Sequence, residues 1–232
     1  MARIALGGDW SGIGETLDAH GCAPVANVLS AAACAEVAAL YGCQALFRSR
    51  VVMARHGFGS GEYQYFADPL PGWLVAMRAA LYARLLPVAD RWRQALGGEA
   101  LPAEHARFLA RCHAAGQTRP TPLLLRYGTG DWNALHQDIY GAQVFPLQAT
   151  ILLSRPGEDF SGGAFVLTEQ RPRMQSRAEV VALGQGDAVV FATRERPVRG
   201  ARGIYRVAMR HGVSRVGSGT RMTLGIILHD AS

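Results

Sequence analysis

The spacing of hydrophobic positions changes about halfway along the chain. Before residue 120, two stretches alternate apolar and polar residues, 46–54 and 62–66, and these predict strands. Other stretches carry apolar residues near helical spacing, which predicts amphipathic helices packed by one face. The predicted helices are 24–41, 72–96 and 103–115, the second with a potential kink at Pro87.

From Pro122 onward, short strands punctuated by turns replace the helices. The predicted strands are 122–127, 134–140, 144–153, 163–168, 179–183, 187–192, 204–211 and 221–229. This many short strands in one half of a chain predicts an α+β fold with a double-stranded β-helix (jelly roll) core and N-terminal helices packed on one sheet. We expect a single domain over 1–232, in which 1–120 supplies helical support and substrate-lid strands and 121–232 forms the core.

Composition narrows the class of protein. Hydrophobic residues make up 49% and charged residues 18%, which is typical of a globular domain. No stretch reaches the roughly 20 apolar residues of a membrane span, and the first ten residues do not resemble a signal peptide. The four cysteines show no paired spacing, so we expect free thiols, a cytoplasmic protein and no membrane association. Nothing in the sequence indicates an obligate protein partner.

The charge is carried unevenly. The formal net charge is +6, and all 24 basic residues are arginines. Ten of them crowd the C-terminal third, where they form either a solvated face or a footprint for a polyanion. These arginines are Arg171, Arg173, Arg177, Arg194, Arg196, Arg199, Arg202, Arg206, Arg210 and Arg215.

One short motif carries candidate metal chemistry. His136 and Asp138 are two residues apart in a predicted strand, so their side chains should share a face. His211 ends a later alternating stretch, and Arg221 opens the strand that follows. Two histidines and one carboxylate form the facial triad of non-haem Fe(II) oxygenases. The alternative is that His136 and Asp138 only hydrogen-bond a turn.

With these residues the sequence resembles the Fe(II)/2-oxoglutarate dioxygenases over most of 55–229. The resemblance implies that His136, Asp138 and His211 bind Fe(II), and that Arg221 binds the distal carboxylate of 2-oxoglutarate. The interval from His211 to Arg221 and the stretch "SGGAFVL" are also similar to prolyl-4-hydroxylase-type enzymes.

A closer likeness is to the AlkB-type oxidative nucleic-acid demethylases. Arg126-Tyr127 resembles their R-Y-x-x-G stretch, "GEYQYFADPLP" their recognition-lid strand, and "LGQGDAVVF" the turn and strand before the distal histidine. The likeness implies that Tyr127 hydrogen-bonds 2-oxoglutarate and that Tyr63 and Tyr65 contact the substrate. Three positions depart from the family pattern, so contacts to co-substrate and base should differ in detail. These positions are Leu125, Tyr140 in place of an acidic base reader, and the signature that begins Arg221-Met222-Thr223 and has Ile227 at its last place.

The resemblance implies an enzyme that uses Fe(II), 2-oxoglutarate and O2. We expect it to remove methyl groups from alkylated bases of DNA or RNA, single-stranded or flipped, and to release formaldehyde, succinate and CO2, with Tyr63, Tyr65 and Tyr140 at the substrate. A second hypothesis is a hydroxylase of a protein residue or small molecule. A third is a jelly-roll binding module without activity, which the complete triad disfavours.

Overall fold

The computed structural model describes residues 4–232. Four α-helices lie in the first half of the chain and three short 3₁₀ turns lie between them. The helices are α1 (Ile13–His20), α2 (Ala31–Ala39), α3 (Gly72–Ala95) and α4 (His105–Ala114); the 3₁₀ turns are Leu40–Gly42, Gln44–Leu46 and Met53–His56. None of the helices in the described part of the chain is both long and apolar enough to cross a membrane.

The described residues also form fifteen β-strands. Those of the first half are β1 (Cys22–Val25), β2 (Phe47–Val52), β3 (Gly59–Ser60) and β4 (Glu62–Phe66). Those of the second half are β5 (Leu123–Tyr127), β6 (Trp132–His136), β7 (Leu147–Leu152), β8 (Phe160–Gly162), β9 (Phe165–Gln170), β10 (Arg177–Val181), β11 (Ala188–Ala192), β12 (Glu195–Gly200), β13 (Gly203–Val213), β14 (Val216–Gly219) and β15 (Arg221–Ile226).

The strands form two larger sheets in which every pairing is antiparallel. The major sheet has seven strands in the order β1-β11-β7-β15-β5-β4-β2. The minor sheet has the order β10-β9-β13-β6-β3, with β12 paired to β13. A separate pair joins β14 to β8. The first half of the chain therefore supplies β1, β2 and β4 to the same sheet as the second half.

Alternation along the strands gives the major sheet two different faces. Leu124, Ile151 and Leu224 point into the main hydrophobic core, where buried residues of α3 such as Leu81 join them. The opposite face carries the intervening residues, Leu123 and Leu125 among others, and forms one wall of a cavity. The helices thus cover one face of the sheet, while the other face is left to line the site.

Several element boundaries differ from the sequence predictions. The predicted helix 24–41 starts only at Ala31, where Ser30 caps it by accepting a hydrogen bond from the Ala33 amide at 3.2 Å. The residues before it form β1 and a turn, because Pro24 suits an extended edge strand and Asn27 adopts a positive φ of 55°. The helix α3 runs through Pro87.

Other elements lie where no pattern indicated them. The sequence predictions omitted α1 and the strands β1, β3, β8, β12 and β14. The predicted strand 134–140 is wrong in its second half, because β6 ends at His136 and Asp138 lies in the loop that follows. The four cysteines are free thiols, as predicted.

Candidate metal centre

Three side chains of the predicted triad converge at one point between the sheets. The Nε2 atom of His211 lies 3.3 Å from Oδ2 of Asp138, and Nε2 of His136 lies 3.6 Å from Oδ1 of the same carboxylate. One ligand atom from each residue lies within 4.8 Å of the other two. Two imidazole nitrogens and a carboxylate oxygen at this spacing can hold one divalent transition metal on one side and leave its other positions open.

Strand pairing places the two histidines opposite each other. His211 of β13 is the direct partner of His136 of β6, and their ring centroids are 4.2 Å apart. The next paired residues along the ladder are Val213 and Asn133. Between these two pairs, β13 advances by two residues and β6 by three. Such a bulge lets Asn133 and His136, three residues apart, both point inward. The Nδ2 group of Asn133 donates to the Tyr127 hydroxyl at 3.1 Å.

The imidazole rings are held in positions that free their Nε2 atoms. The Nδ1 atom of His136 lies 2.7 Å from the carbonyl oxygen of Ala134, which accepts its proton and leaves Nε2 as a lone-pair donor. The ring of His211 packs against Phe191, with centroids 4.6 Å apart, and against Phe165 at 6.0 Å. Burial in this apolar surrounding lowers the pKa of His211, which favours the neutral imidazole that binds metals.

A chain of hydroxyl groups supports the carboxylate. The Tyr140 hydroxyl donates to Oδ1 of Asp138 at 2.7 Å, and the Tyr65 hydroxyl donates to Tyr140 at 3.0 Å. Burial and the nearby Asp138 charge raise the pKa of Tyr140 well above its usual value, so this hydroxyl remains a proton donor. Because Tyr140 donates its hydroxyl hydrogen bond to Asp138, it orients the carboxylate of the triad directly.

The far end of the cavity holds a buried cation without a partner. Arg221 is 2% exposed, and neither its Nε nor its Nη1 has a hydrogen-bond acceptor among the described residues. The guanidinium lies near the rings of Tyr127 and Phe160, with centroid distances of 5.7 and 6.0 Å. Burial lowers the pKa of Arg221 to about 10, so it is still charged at neutral pH. An isolated buried charge is costly, and the cavity therefore fits an anionic ligand at this end.

The stretch "SGGAFVL" has a steric role beside this arginine. Gly163 has a positive φ of 59°, and a Cβ atom there would lie 2.8 Å from Cδ of Arg221. Only glycine suits that conformation and that close approach. The motif seen in the sequence thus makes room for the guanidinium.

One cavity of about 380 Å³ connects the triad with Arg221. Its wall from the major sheet carries Tyr63, Tyr65, Tyr127 and Thr223, all predicted site residues. Phe58 and Leu135, which are half-exposed, also line it. All nine predicted site residues therefore line the same cavity.

Sequence reasoning missed a buried polar group of this cavity, Gln148. Gln148 is 1% exposed, and its Nε2 group has no hydrogen-bond partner within residues 4–232. Gln148 is the strand partner of Phe191, whose ring packs on His211. On the inner face of the major sheet, Gln148 and Arg221 lie at opposite ends. A buried amide donor without a protein acceptor is available to an acceptor atom of a ligand in the cavity. The only sequence signal was a polar residue on the cavity-facing side of the strand "LQATIL".

The arginines of the C-terminal third are not part of this cavity, whose lining residues include Arg221 and none of those ten. Arg196 is buried and pairs with Glu169, which also pairs with Arg171 and Arg177. A phosphate-binding role is therefore wrong for Arg196. His229, a further histidine of the C-terminal third, is fully buried beside the Phe145 amide and outside the triad.

The fold and the site define a class, the 2-oxoglutarate- and Fe(II)-dependent oxygenases. Residues 61–231 match the model of a family described as "Oxygenase, catalysing oxidative methylation of damaged DNA", and the chain belongs to that family. Uncharacterised proteins from two strains of Mycobacterium tuberculosis are each 49% identical over 193 residues, which cover 83% of this chain and 78% of theirs.

Solved structures of the same class share the fold. A Pseudomonas putida prolyl-4-hydroxylase superposes with a TM-score of 0.56 at 16% identity, covering 97% of this chain and all (100%) of its own. An oxidoreductase of the 2OG-Fe(II) oxygenase family from Burkholderia pseudomallei gives 0.57 at 17% identity, with coverage of 98% and 95%. The protein is an oxidoreductase, a dioxygenase that uses Fe(II), 2-oxoglutarate and O2.

Proposed function

We propose that this dioxygenase removes methyl groups from alkylated nucleic-acid bases. The observation that carries the proposal is the family match, whose description names damaged DNA. Tyr63 and Tyr65 support it, since both rings line the cavity of the triad and meet edge to face with centroids 5.3 Å apart. Aromatic faces and edges of this kind stack on bases that have left a duplex or belong to a single strand.

In this proposal His136, Asp138 and His211 hold the iron, and the two sheets around them form the double-stranded β-helix. Arg221 pairs with the distal carboxylate of 2-oxoglutarate, and Tyr127 and Thr223 border that carboxylate. Arg221 fits this role because its orphaned N–H groups can make a charge-assisted pair with an oxygen anion. Tyr127 is fully buried and held by Asn133, so its ring position is fixed before the co-substrate binds.

The chain's own residues position and shield the reaction. Bound iron with 2-oxoglutarate and O2 supplies the oxidising power, and 2-oxoglutarate leaves as succinate and CO2. One oxygen atom goes to succinate and the other to the N-methyl carbon, and the resulting N-hydroxymethyl group loses formaldehyde to leave the N–H base. Phe165 and Phe191 beside His211, and Leu125 opposite them, keep this space apolar and exclude water.

A second candidate is hydroxylation of an uncharged protein residue or small molecule. It is favoured by the mouth of the cavity, where Phe58 and Leu135 are half-exposed and none of the ten clustered arginines, Arg171 to Arg215, contributes. Such a mouth would accept an apolar side chain without any polyanion groove.

A turnover screen separates the two candidates. Purified protein with Fe(II), 2-oxoglutarate and O2 is given single-stranded oligonucleotides with N-methylated bases, the unmethylated oligonucleotides, peptides and free amino acids. We expect formaldehyde and succinate in equal amounts only with the methylated oligonucleotides. Hydroxylated peptide or amino acid without formaldehyde would replace the demethylase proposal with the hydroxylase.

Tyr63 provides a more specific test. Tyr63→Ala should impair formaldehyde release more than substrate-free succinate production, because the ring faces the substrate and contacts none of the three ligands. Tyr63→Phe keeps the ring and serves as the matched control. Equal loss of both products in the Ala variant would place Tyr63 in the support of the metal centre instead.

A further inference from the structure

A second cavity, of about 340 Å³, adjoins the catalytic one. Its walls come from the end of α3, from the loop after the triad residue Asp138, and from β12 and β13. The lining residues are Trp92, Arg93, Leu96, Gly98, Ile139 and Gly141, followed by Ala142, Val144, Pro146, Arg194, Glu195 and Arg206.

A single loop separates the two cavities. Gln137, Asp138 and Tyr140 line the catalytic cavity, whereas Ile139 and Gly141 line the second. The amide of Gln137 fastens the loop at its start by donating to the backbone carbonyls of Arg194 and Met209, both at 2.8 Å. An extended ligand that leaves the catalytic cavity across this loop therefore enters the second cavity directly, past the half-exposed side chain of Ile139.

The second cavity carries an excess of positive charge. Arg194 and Arg206 are both more than half exposed and share one carboxylate, Glu195, at long distances of 3.9 and 3.6 Å. Arg93 adds a third guanidinium, whose Nε donates to the carbonyl of Glu99. The Nη2 group of Arg206 also donates to the carbonyl oxygen of Leu96 at 2.9 Å. Three cations against one anion leave the cavity with a net positive charge, and the other N–H groups of these arginines remain available as donors.

We propose that this second cavity binds the phosphodiester backbone of the substrate strand next to the methylated nucleotide. The proposal rests on the proposed function and names the place where the neighbouring nucleotides lie. Arginine pairs with phosphate oxygens through two parallel N–H groups, and exposed ion pairs as long as these two are weak enough to exchange partners. The apolar residues between the arginines, Ile139 and Val144, suit the uncharged sugar and base edges of the same strand.

This assignment separates the basic residues of the C-terminal third by their position. Arg194 and Arg206 flank the loop beside the catalytic cavity, whereas Arg199 and Arg202 lie towards the turn between β12 and β13. Arg199 and Arg202 are equally exposed but line no part of the second cavity. They therefore serve as a matched pair of controls with the same charge on the same two-stranded unit.

The test uses the full chain and a single-stranded oligonucleotide with one N-methylated base. In the double variant Arg194→Gln/Arg206→Gln, two phosphate contacts are lost. The affinity should fall by about tenfold or more at low salt, and the slope of log affinity against log salt should become shallower by about 1.4. Arg199→Gln/Arg202→Gln should change neither quantity appreciably. Arg194→Lys/Arg206→Lys keeps the charge and should retain most of the slope.

Two further measurements keep the outcomes distinct. Demethylation of a free methylated nucleoside, which has no phosphate, should be the same in wild type and the Gln variant, and this shows that the variant is folded and active. If the wild type demethylates the oligonucleotide and the Gln variant keeps its salt slope, the second-cavity proposal is overturned and the proposed function stands. If the wild type neither binds nor demethylates any oligonucleotide, the proposed function itself fails.

Discussion

The Tyr140 hydroxyl donates a 2.7 Å hydrogen bond to Oδ1 of Asp138, two residues earlier in the same loop. Through Tyr65, which donates to Tyr140, the inner face of the major sheet is linked to the carboxylate of the triad. The sequence comparison had suggested that Tyr140 contacts the substrate. In the structure its hydroxyl hydrogen is already used, so only the ring is free for that contact.

Tyr140→Phe should weaken metal binding by about 10- to 100-fold, since groups that orient a ligand have effects of this size. The measurement is an anaerobic titration with Fe(II), or with Mn(II) as a stand-in. Tyr63→Phe, which removes a hydroxyl that does not contact Asp138, is the control. Unchanged metal affinity combined with loss of demethylation would indicate instead that Tyr140 contacts the substrate.

Arg221→Met should have opposite effects on folding and on co-substrate binding. The substitution removes a buried charge without a partner, so the free energy of unfolding without 2-oxoglutarate should rise by about 1–4 kcal/mol. The 2-oxoglutarate requirement should rise by roughly ten- to a hundredfold or more. Thermal melts and a co-substrate titration check the two effects, with exposed Arg202→Met as the control. An unaltered titration would contradict the assignment of Arg221.

Gln148→Leu should also have opposite effects on stability and on turnover, with a smaller effect on stability than Arg221→Met. Removing an unsatisfied buried amide should leave stability equal or higher, by up to about 1–3 kcal/mol, while turnover falls because a ligand loses a donor. Gln117→Leu is the matched control. Gln117 is also fully buried, but its amide donates to the carbonyls of Gln143 and Asp230, so the same change there should destabilise the fold. A destabilised Gln148→Leu with normal turnover would make Gln148 structural.

His211→Ala should abolish most metal binding and 2-oxoglutarate turnover while the fold persists. The residue supplies one of three converging ligand atoms, and its strand partners are joined by backbone hydrogen bonds that the substitution leaves intact. Metal content and circular dichroism are the measurements, and His20→Ala on the surface of α1 is the control. Full iron content in the Ala variant would remove His211 from the triad.

His105 should make stability depend on pH. Burial lowers its pKa to about 4, and its Nε2 lies 2.8 Å from the carbonyl oxygen of Leu228. The unfolded chain binds a proton near pH 6.5 and the folded chain does not, so stability is present above pH 6.5 and is lost as the pH falls towards 4. The loss attributable to His105 is on the order of 3 kcal/mol, from about 1.36 kcal/mol per pKa unit. Burial also lowers the pKa of His229 to about 4, so both histidines contribute over this window. His105→Gln should therefore reduce the pH dependence of unfolding without abolishing it, and an unchanged slope would contradict the assignment.

The residues of the metal centre were accessible from the sequence because their chemistry constrains both type and spacing. His136, Asp138, His211 and Arg221 are polar or charged residues on or beside apolar strands, and each of them lines the cavity. The prediction that His136 and Asp138 share a strand face was nevertheless wrong in its reasoning, because β6 ends at His136. The loop that follows brings Asp138 to the same point.

What escaped prediction depends on tertiary context. Whether Gln148 is satisfied can be judged only once its neighbours are known, and an isolated polar residue in a strand carries no such information. The strand β12 was missed because its polar and charged residues, with Pro197 among them, do not resemble a strand. It pairs along the edge of the minor sheet, where buried Arg196 contacts Glu169 and the carbonyls of Asp18 and Ala19.

Between Asn133 and His136, β6 contains one residue more than the facing segment of β13. The length of this segment is therefore as important as its composition. Without the bulge, an interval of three would send the two side chains to opposite faces, and either His136 would leave the triad or Tyr127 would lose its hydrogen bond from Asn133. Substitutions at Ala134 or Leu135 change only what lines the mouth of the cavity. A one-residue deletion there would leave an interval of two, so a regular ladder would keep both side chains on the inner face. What the deletion would remove is the local bend and twist of β6, so the bulge fixes how the His136 imidazole is aimed rather than which face it occupies.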